Sequence, residues 1–414
     1  MKVLIVSSKY LPEYSGSGLR AHNTYKRLSK KFDIKFEVIT SSTGNYESKK
    51  YQIDGINVQR ITSKKFRILN KIFGKIILKR IMNAFLTIVE YRIVKKEIKK
   101  KKFDLIHTFG ISPATISAVN FSRKNKIPLI MEIVNPIKTP YQFLPLQRLF
   151  GRYDLKTNCV ITAISKSIGK MCFNYNLKNN VWIRPNPVDE NKFNVPSKNI
   201  KNKLRKELSS FSSDDIVLVY VAKYLKRKNH TFLLDVLSQL PEKYKLILGG
   251  PLLEKNDLLE GYKIDNFYKF EQKAKKLGIE NRVKISHGFL NMEDYISCAD
   301  ISCFPSYNEA MGTPLLESIA CGVPVIANKD EDSFNEWIIN NENGYLEILD
   351  PEKWALRIKN LSEIITKEKQ IIMSKKIIEL SSSKKIDQNY HKLLNELSYA
   401  KNKNINIVEI LNND

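Results

Sequence analysis

The stretch from Phe304 to Ala327, FPSYNEAMGTPLLESIACGVPVIA, constrains this chain more than any other. An apolar strand end at residues 301–304 leads into a polar loop with an open carboxylate, Glu309. Gly312, Thr313 and Pro314 follow, then a small-residue helix over 315–320, Cys321-Gly322, and a second strand over 323–327. Thr313 suits the cap of that helix and Pro314 its first position, so a helix is expected to start there.

The first N–H groups of such a helix have no partner within it, and a neighbouring glycine lets a ligand approach, which makes the helix start an anion site. Glu309 lies before it and Glu317 eight residues later within its first turns. A phosphate bound there has a hydroxyl-accepting carboxylate on each side. That is the polarity of a sugar–diphosphate–nucleoside. Two other readings compete: a solvated loop residue beside a helix-surface charge, and a pair of hydrolytic carboxylates. On one helix, residues eight apart sit roughly 12 Å apart along the axis, wider than the gap hydrolysis uses.

Composition sets the outer limits. At 414 residues, with 43% hydrophobic residues, the chain suits two domains with a core each. No run of 18 apolar residues is present, and the MKVLIVSSKY opening is too short in apolar residues for a secretion signal. Five cysteines in no metal spacing are expected to be buried, reduced thiols of a cytoplasmic protein. The net charge of +26 comes from 55 Lys and 14 Arg against 43 acids, amid abundant Asn and Ile, so part of it reflects coding bias. Readers of nucleic-acid sequence lean on arginine forks, so no nucleic-acid partner is expected. An anionic surface or an anionic substrate is.

In chain order, KVLIVS (2–7), the glycine loop PEYSGSG (12–18) and a helix over 19–30 form a doubly wound opening. Gly16 and Gly18 let backbone approach a ligand, a tight turn being the plain alternative; the loop is not GxGxxG, and no nicotinamide site is expected. Residues 64–102 carry 14 Lys/Arg against two Glu. Apolar residues recur there at helical spacing, with Lys71, Lys75 and Lys79 on another face. Such a helix either lies on anionic lipid or packs in the core behind a solvated lysine face. DLIHT (104–108) reads as a strand with His107 near its C-terminal end, where ligands of doubly wound sheets bind; a packed core histidine is the alternative. Asn135 follows the next strand, at 126–134. Residues 193–213 look like the connection between domains. The second half restarts with IVLVYV (216–221), and the turn AKYLKRKN (222–229) then sets four cations where a diphosphate needs them. Asp330-Glu331-Asp332 has the form of a DxD metal motif but lacks a further ligand, so no metal is assigned.

With these residues in view, the chain resembles the family 4 glycosyltransferases of GT-B type over nearly its whole length. The family's paired glutamates match Glu309 and Glu317. Its Pro-Asn-(small)-Val-Asp-x3-Phe turn matches Pro185-Asn186-Pro187-Val188-Asp189 through Phe193, and its later glutamate and glycine turn match Glu336 and residues 342–346. The resemblance implies an α/β chain of two Rossmann-like, doubly wound domains facing across a cleft. The expected domains are 1–195 for the acceptor, 196–385 for the donor, and a helical tail, 386–414, packing back on the first. It implies retaining, metal-independent transfer from a nucleotide-diphosphate sugar, with no cofactor beyond that co-substrate. Glu309 would then contact sugar hydroxyls and Glu317 the ribose. Met311, Gly312, Thr313 and Leu315 would lie along the phosphates, and Lys223 and Lys228 would clamp the diphosphate. Departures from the family pattern are Ala222-Lys223 for Gly-Arg, Ala310-Met311 for Gly-Phe, and Val134-Asn135 where a histidine or aspartate is usual. His107 and Asn135 are the acceptor-side candidates.

The first expectation is therefore a cytoplasmic enzyme, peripheral on the inner face of a membrane, that builds a cell-envelope glycan on a glycan or lipid-linked acceptor. A GT-B sugar-nucleotide epimerase or phosphorylase is the second. A non-catalytic basic protein that binds anionic polymer is the third.

Overall fold

The computed structural model describes residues 1–412 apart from 14, 42–47, 62–75, 101, 135–138, 144–153, 253–267, 289, 310 and 400–403. The side chains of 76–87, 113, 142, 143 and 268 are likewise not described. The chain divides into two compact units, Met1–Arg184 with Ile386–Asp414, and Pro185–Lys385.

The first unit is built on one sheet. Its strands are β1 (Lys2–Ser7), β2 (Lys35–Ser41), β3 (Lys49–Ile53), β4 (Ile56–Ile61), β5 (Leu105–Phe109), β6 (Leu129–Ile133), β7 (Cys159–Ala163) and β8 (Val181–Ile183). Their order is β3-β4-β2-β1-β5-β6-β7-β8, parallel throughout except for the β3–β4 pair. The inner strands are near-continuous apolar runs such as LIMEI and CVITA with every residue buried, as a parallel sheet covered on both faces requires. The covering helices include α1 (Gly16–Lys31), α2 (Ile76–Lys100), α3 (Pro113–Lys124) and α4 (Lys166–Phe173).

Residues 386–414 cluster with this unit. Ile386, Tyr390, Leu393, Leu394 and Leu397 recur at helical spacing and are buried in one core with Val3, Ile5, Leu105, Phe109, Ile130 and Val160. Each such side chain contributes about 1.5–3 kcal/mol on burial, which fixes the helix without any help from its polar face. Asp387 adds a two-pronged ion pair with Arg27, Nε and Nη2 each at 2.9 Å.

The second unit carries a parallel sheet of six strands: β9 (Ile216–Val221), β10 (Tyr244–Gly250), β11 (Val283–His287), β12 (Ile301–Phe304), β13 (Val325–Asn328) and β14 (Gly344–Glu347). The order is β11-β10-β9-β12-β13-β14. From β9 the chain winds outward one way through β10 and β11, then returns to β12 on the other side. The order thus reverses between β9 and β12, which pair with Leu218 against Ile301 and Val219 against Ser302. The C-terminal ends of the two strands at such a reversal are where open α/β sheets place their ligands.

Around this sheet run α5 (Lys198–Ser209), α6 (His230–Ser238), α7 (Tyr268–Lys276), α8 (Met292–Ser297), α9 (Thr313–Ala320), α10 (Pro351–Ile364) and α11 (Lys367–Ser381). Helix α12 (Ser383–Tyr399) carries the chain back into the first unit, and α13 (Ile407–Asn412) ends it. The segment 193–213, expected as a connection, is largely α5. Its Ser197 cap accepts the Ile200 N–H, and Arg205 on it is buried against the Cys298 carbonyl. The five cysteines are all buried and unpaired.

Candidate active site

At the switch point between β9 and β12, the loops that follow the two strands are fastened together by the main chain. After β9, residues Lys226–Lys228 make a single 3-10 turn that ends at Asn229 in the left-handed conformation. After β12, the Tyr307 N–H donates to the Arg227 carbonyl at 3.0 Å. The turn that bears the cations is thereby held against the loop that bears Glu309.

Glu309 is not the open carboxylate that the sequence suggests. Its Oε1 accepts from both Lys228 Nζ at 2.6 Å and Arg227 Nη1 at 2.9 Å, and the side chain is only 11% exposed. Its Oε2 takes no hydrogen bond from the described residues. Burial pulls the Lys228 ammonium below its ordinary pKa, and the Glu309 carboxylate beside it pushes the other way. Two cations share this one carboxylate oxygen, and the Glu331 carboxylate also acts on Lys228. What the locus offers an anion is therefore not excess charge but the donors that Arg227 and Lys228 have left over.

Arg227 did not stand out by spacing. Four cations in eight residues gave the signal, but sequence distance does not say which of them reaches Glu309. Lys223 sits two residues beyond the end of β9 and is partly buried; the cations bonded to Glu309 are Arg227 and Lys228.

Helix α9 starts one residue earlier than expected, at Thr313. Gly312 occupies the cap with φ +70, and a Cβ there would lie 2.6 Å from Phe334 Cε1, so both conformation and space demand glycine. Thr313 is then the first helical residue and Pro314 the second. The Leu315 N–H is turned back to the Gly312 carbonyl at 2.9 Å, and the Leu315 side chain is core. Asn186, from the Pro185-Asn186-Pro187 turn, holds this start from below. Its Nδ2 donates to Thr313 Oγ1 at 2.6 Å, and its N–H meets the buried Met311 Sδ at 3.2 Å.

Glu317 is a turn further on. Its carboxylate takes no hydrogen bond from the described residues. Burial first, and the carboxylate of Glu293 on α8 second, push its pKa up to about 7. The side chain is half-buried, and a carboxyl there with neither donor nor cation among the described residues is open to donors from a ligand, such as hydroxyl groups.

The remaining sequence candidates belong to the first unit or fall outside the described residues. Gly16 and Gly18 belong to the other unit and are not in a loop. They form the first turn of α1, where Ser15 caps the helix by accepting the Gly18 N–H at 3.0 Å. A Cβ on Gly18 would lie 2.4 Å from the Lys9 carbonyl oxygen, so packing of the helix start against the loop after β1 explains that glycine, whereas nothing lies within 4 Å of a Cβ on Gly16.

His107 is corrected too. It is the third of five residues in β5, fully buried and stacked on Phe109 at 4.1 Å between ring centroids. Its Nδ1 is 2.8 Å from the Tyr25 hydroxyl and its Nε2 is 3.8 Å from Glu132 Oε2. Burial outweighs Glu132 and, with Arg184 and Arg20 nearby, pushes its pKa down to about 3. It is a neutral core histidine. Asn135 lies outside the described residues, as do Lys71 and Lys75 and the side chain of Lys79. Within the described part of α2, Glu90, Val94 and Ile98 are buried at i, i+4, i+8, and the helix packs on α3. Among the described residues, no helix is long and apolar enough to cross a membrane.

Comparison with known proteins adds the family. Residues 201–379, which hold the whole constellation of Lys223, Arg227, Lys228, Glu309 and Glu317, match the profile of the glycosyl transferases group 1. The uncharacterized glycosyltransferase MJ1178 of Methanocaldococcus jannaschii is 26% identical over 348 residues, 84% of each chain. The capsular polysaccharide biosynthesis glycosyltransferase CapH of Staphylococcus aureus is 22% identical, over 86% of this chain and 89% of that one. Among solved structures, Anabaena HepE in complex with UDP and glucose superposes with a TM-score of 0.67 at 19% identity, covering 96% of this chain and all of that one. Sucrose-phosphate synthase from Thermosynechococcus elongatus gives 0.69 at 16% identity, over 96% and 98%; at these identities the likeness shows the fold. The chain is a glycosyltransferase of GT-B fold whose residues 201–379 match the group 1 glycosyl transferases.

Proposed function

We propose that this glycosyltransferase moves a sugar, with retention of configuration and without a metal ion, from a nucleotide-diphosphate sugar to a cell-envelope glycan or a lipid-linked acceptor. One observation carries the reading: Glu309 is held by Arg227 and Lys228 at the switch point of the second sheet, three residues before the helix start at Gly312.

As the bond between the sugar and the diphosphate breaks, negative charge grows on the departing phosphate oxygens. Cations and N–H dipoles already in place stabilise that charge without reorganising, which is the largest contribution to catalysis in sites of this kind. Lys223, Lys228 and the Gly312–Thr313 main chain supply them here, and no cofactor beyond the co-substrate is needed. Glu309 Oε2 accepts a donor-sugar hydroxyl while Oε1 keeps its cations. Glu317, half-buried and without a donor among the described residues, accepts the ribose hydroxyls. Retention follows when the acceptor attacks on the face the diphosphate is leaving.

The acceptor class rests on the relatives. Besides CapH, they include an Escherichia coli O-antigen biosynthesis glycosyltransferase and a Campylobacter jejuni enzyme named for a diphospho-undecaprenol acceptor. The excess of 14 Lys/Arg over two Glu in residues 64–102 suits the anionic inner face of a membrane, where the protein would sit peripherally.

The test is release of nucleoside diphosphate from a panel of UDP-, GDP-, ADP- and dTDP-sugars, with and without a lipid or glycan extract and with EDTA throughout. Release that needs the extract and ignores EDTA supports the reading. Release without acceptor points to hydrolysis, and interconversion of the donor sugar to an epimerase. An inverted product anomer overturns retention, and cosedimentation that does not depend on anionic lipid removes the membrane.

A further inference from the structure

Resting on the donor reading above, we propose that Arg227 supplies the guanidinium of the diphosphate clamp, with Glu309 as the anchor that presents it. Lys223, at the strand end, offers only a point charge; the planar fork has moved four residues on, into the turn.

The argument is one of unspent donors. A guanidinium has five N–H groups, and its Nε–Nη2 edge offers two parallel donors to two oxygens of one anion. Arg227 uses Nη1 alone, 2.9 Å from Glu309 Oε1 and 3.4 Å from the Asn308 carbonyl. Among the described residues nothing accepts from its Nε or Nη2. Two other arginines of the chain spend more of these donors. Arg27 lays that same edge on Asp387 with two bonds of 2.9 Å, and Arg205 bonds through Nε, Nη1 and Nη2. Arg27 thus shows, within this molecule, the bidentate geometry that Arg227 holds in reserve.

Arg227 is also held in place rather than waving in solvent. Its carbonyl accepts the Tyr307 N–H, Glu309 pins its Nη1, and its side chain is 31% exposed, so the group is anchored at two points and still partly open to solvent. Pinning at Nη1 removes most of the rotamer entropy that an arginine otherwise loses on binding an anion. The anion does not have to displace Glu309. It takes the other edge, and Lys228 adds its ammonium from the same carboxylate oxygen.

The experiment titrates the full-length chain by calorimetry. The nucleoside diphosphate comes first (UDP, GDP, ADP and dTDP screened on the wild type), then the monophosphate and the free nucleoside of whichever binds. Arg227→Ala is expected to weaken the diphosphate about tenfold or more, the scale of a lost charge-assisted bidentate contact, and to leave the nucleoside unchanged. Arg227→Lys restores only part of the loss, because an ammonium has no edge. Diphosphate binding by Arg227→Ala within twofold of the wild type overturns the assignment. So does equal weakening of diphosphate and nucleoside, which would mean that the turn has collapsed. Should the wild type bind none of the four diphosphates while remaining folded, the donor reading itself falls.

Discussion

Glu331 Oε2 accepts the main-chain N–H of Glu309 at 3.0 Å, and Ser333 Oγ donates to its Oε1 at 3.2 Å. The acidic triplet 330–332, which has the form of a metal motif, thus contributes an anchor for the loop that presents Glu309. Among the described residues no group of three His, Cys, Asp or Glu is placed to hold a metal.

The anchor sets the first expectation. Glu331→Ala leaves the Glu309 N–H without its charged acceptor, at a cost of about 1–3 kcal/mol, and frees the loop beside Asn308. Turnover should fall by about tenfold, and Glu331→Gln, which keeps an acceptor oxygen, should recover most of it. Wild-type turnover in Glu331→Ala would show that the loop holds its shape without this bond.

Glu309→Gln keeps the shape of the side chain and removes its charge. Arg227 and Lys228 then lose the anion that orients them, and the donor sugar loses a charged acceptor. Turnover should drop by about 100-fold or more, the scale of losing one preorganised electrostatic contact. The circular dichroism spectrum should be unchanged. Full activity in a folded Glu309→Gln protein contradicts the role given to this carboxylate.

Much of this was legible in the residues. Parallel strands covered on both faces read as apolar runs, which is why 2–7, 216–221 and 301–304 were recovered to the residue. Edge strands lack that signature: β3, KKYQI, is largely exposed and passes for a loop. His107 and the glycines of the first unit show a different limit. A strand end and a strand middle differ by two residues, and a glycine needed for packing against Lys9 has the same letter as one needed for a ligand. Spacing placed the cations in one turn after β9 and the two glutamates on either side of the α9 start, but it could not tell that Arg227 rather than Lys223 bonds to Glu309. Nor could it foresee Asn186, whose partners Met311 and Thr313 lie over a hundred residues away.

The first unit offers a stability test independent of chemistry. Glu132 on β6 is fully buried and accepts from Arg20 Nε at 2.6 Å, Arg184 Nη2 at 2.8 Å and the Tyr390 hydroxyl at 3.0 Å. Burial alone would raise its pKa, but the two guanidiniums win and hold it below the ordinary value. Glu132→Ala leaves buried Arg184 without its carboxylate, and removing one partner of a buried pair costs about 3–5 kcal/mol. Chemical denaturation should show that loss. Because Tyr390 is on the C-terminal helix, limited proteolysis should cut residues 386–412 sooner in the variant. A midpoint within error of the wild type would mean the cluster is relieved by water.

The last expectation concerns pH, and the two sides of Glu317 give it opposite signs. Its folded pKa is about 7, raised by burial and by Glu293 from an ordinary 4.5. Between those values the folded state holds a proton that the unfolded state has lost, so folding stability from this group falls as pH rises from 4.5 to 7 and is level above. Glu317→Gln stays neutral and escapes that fall, so its melting temperature should exceed the wild type's at pH 8 and match it near pH 4.5. Donor affinity runs the other way. The ionised carboxylate is the better acceptor for ribose hydroxyls, so the wild type should bind its nucleotide more tightly as pH rises through 7, whereas Glu317→Gln should bind weakly with no inflection there. Calorimetry at pH 6, 7 and 8 on both proteins reads the two trends separately. An inflection near 7 that survives the substitution would assign it to another group, and parallel melting curves would place Glu317 in water.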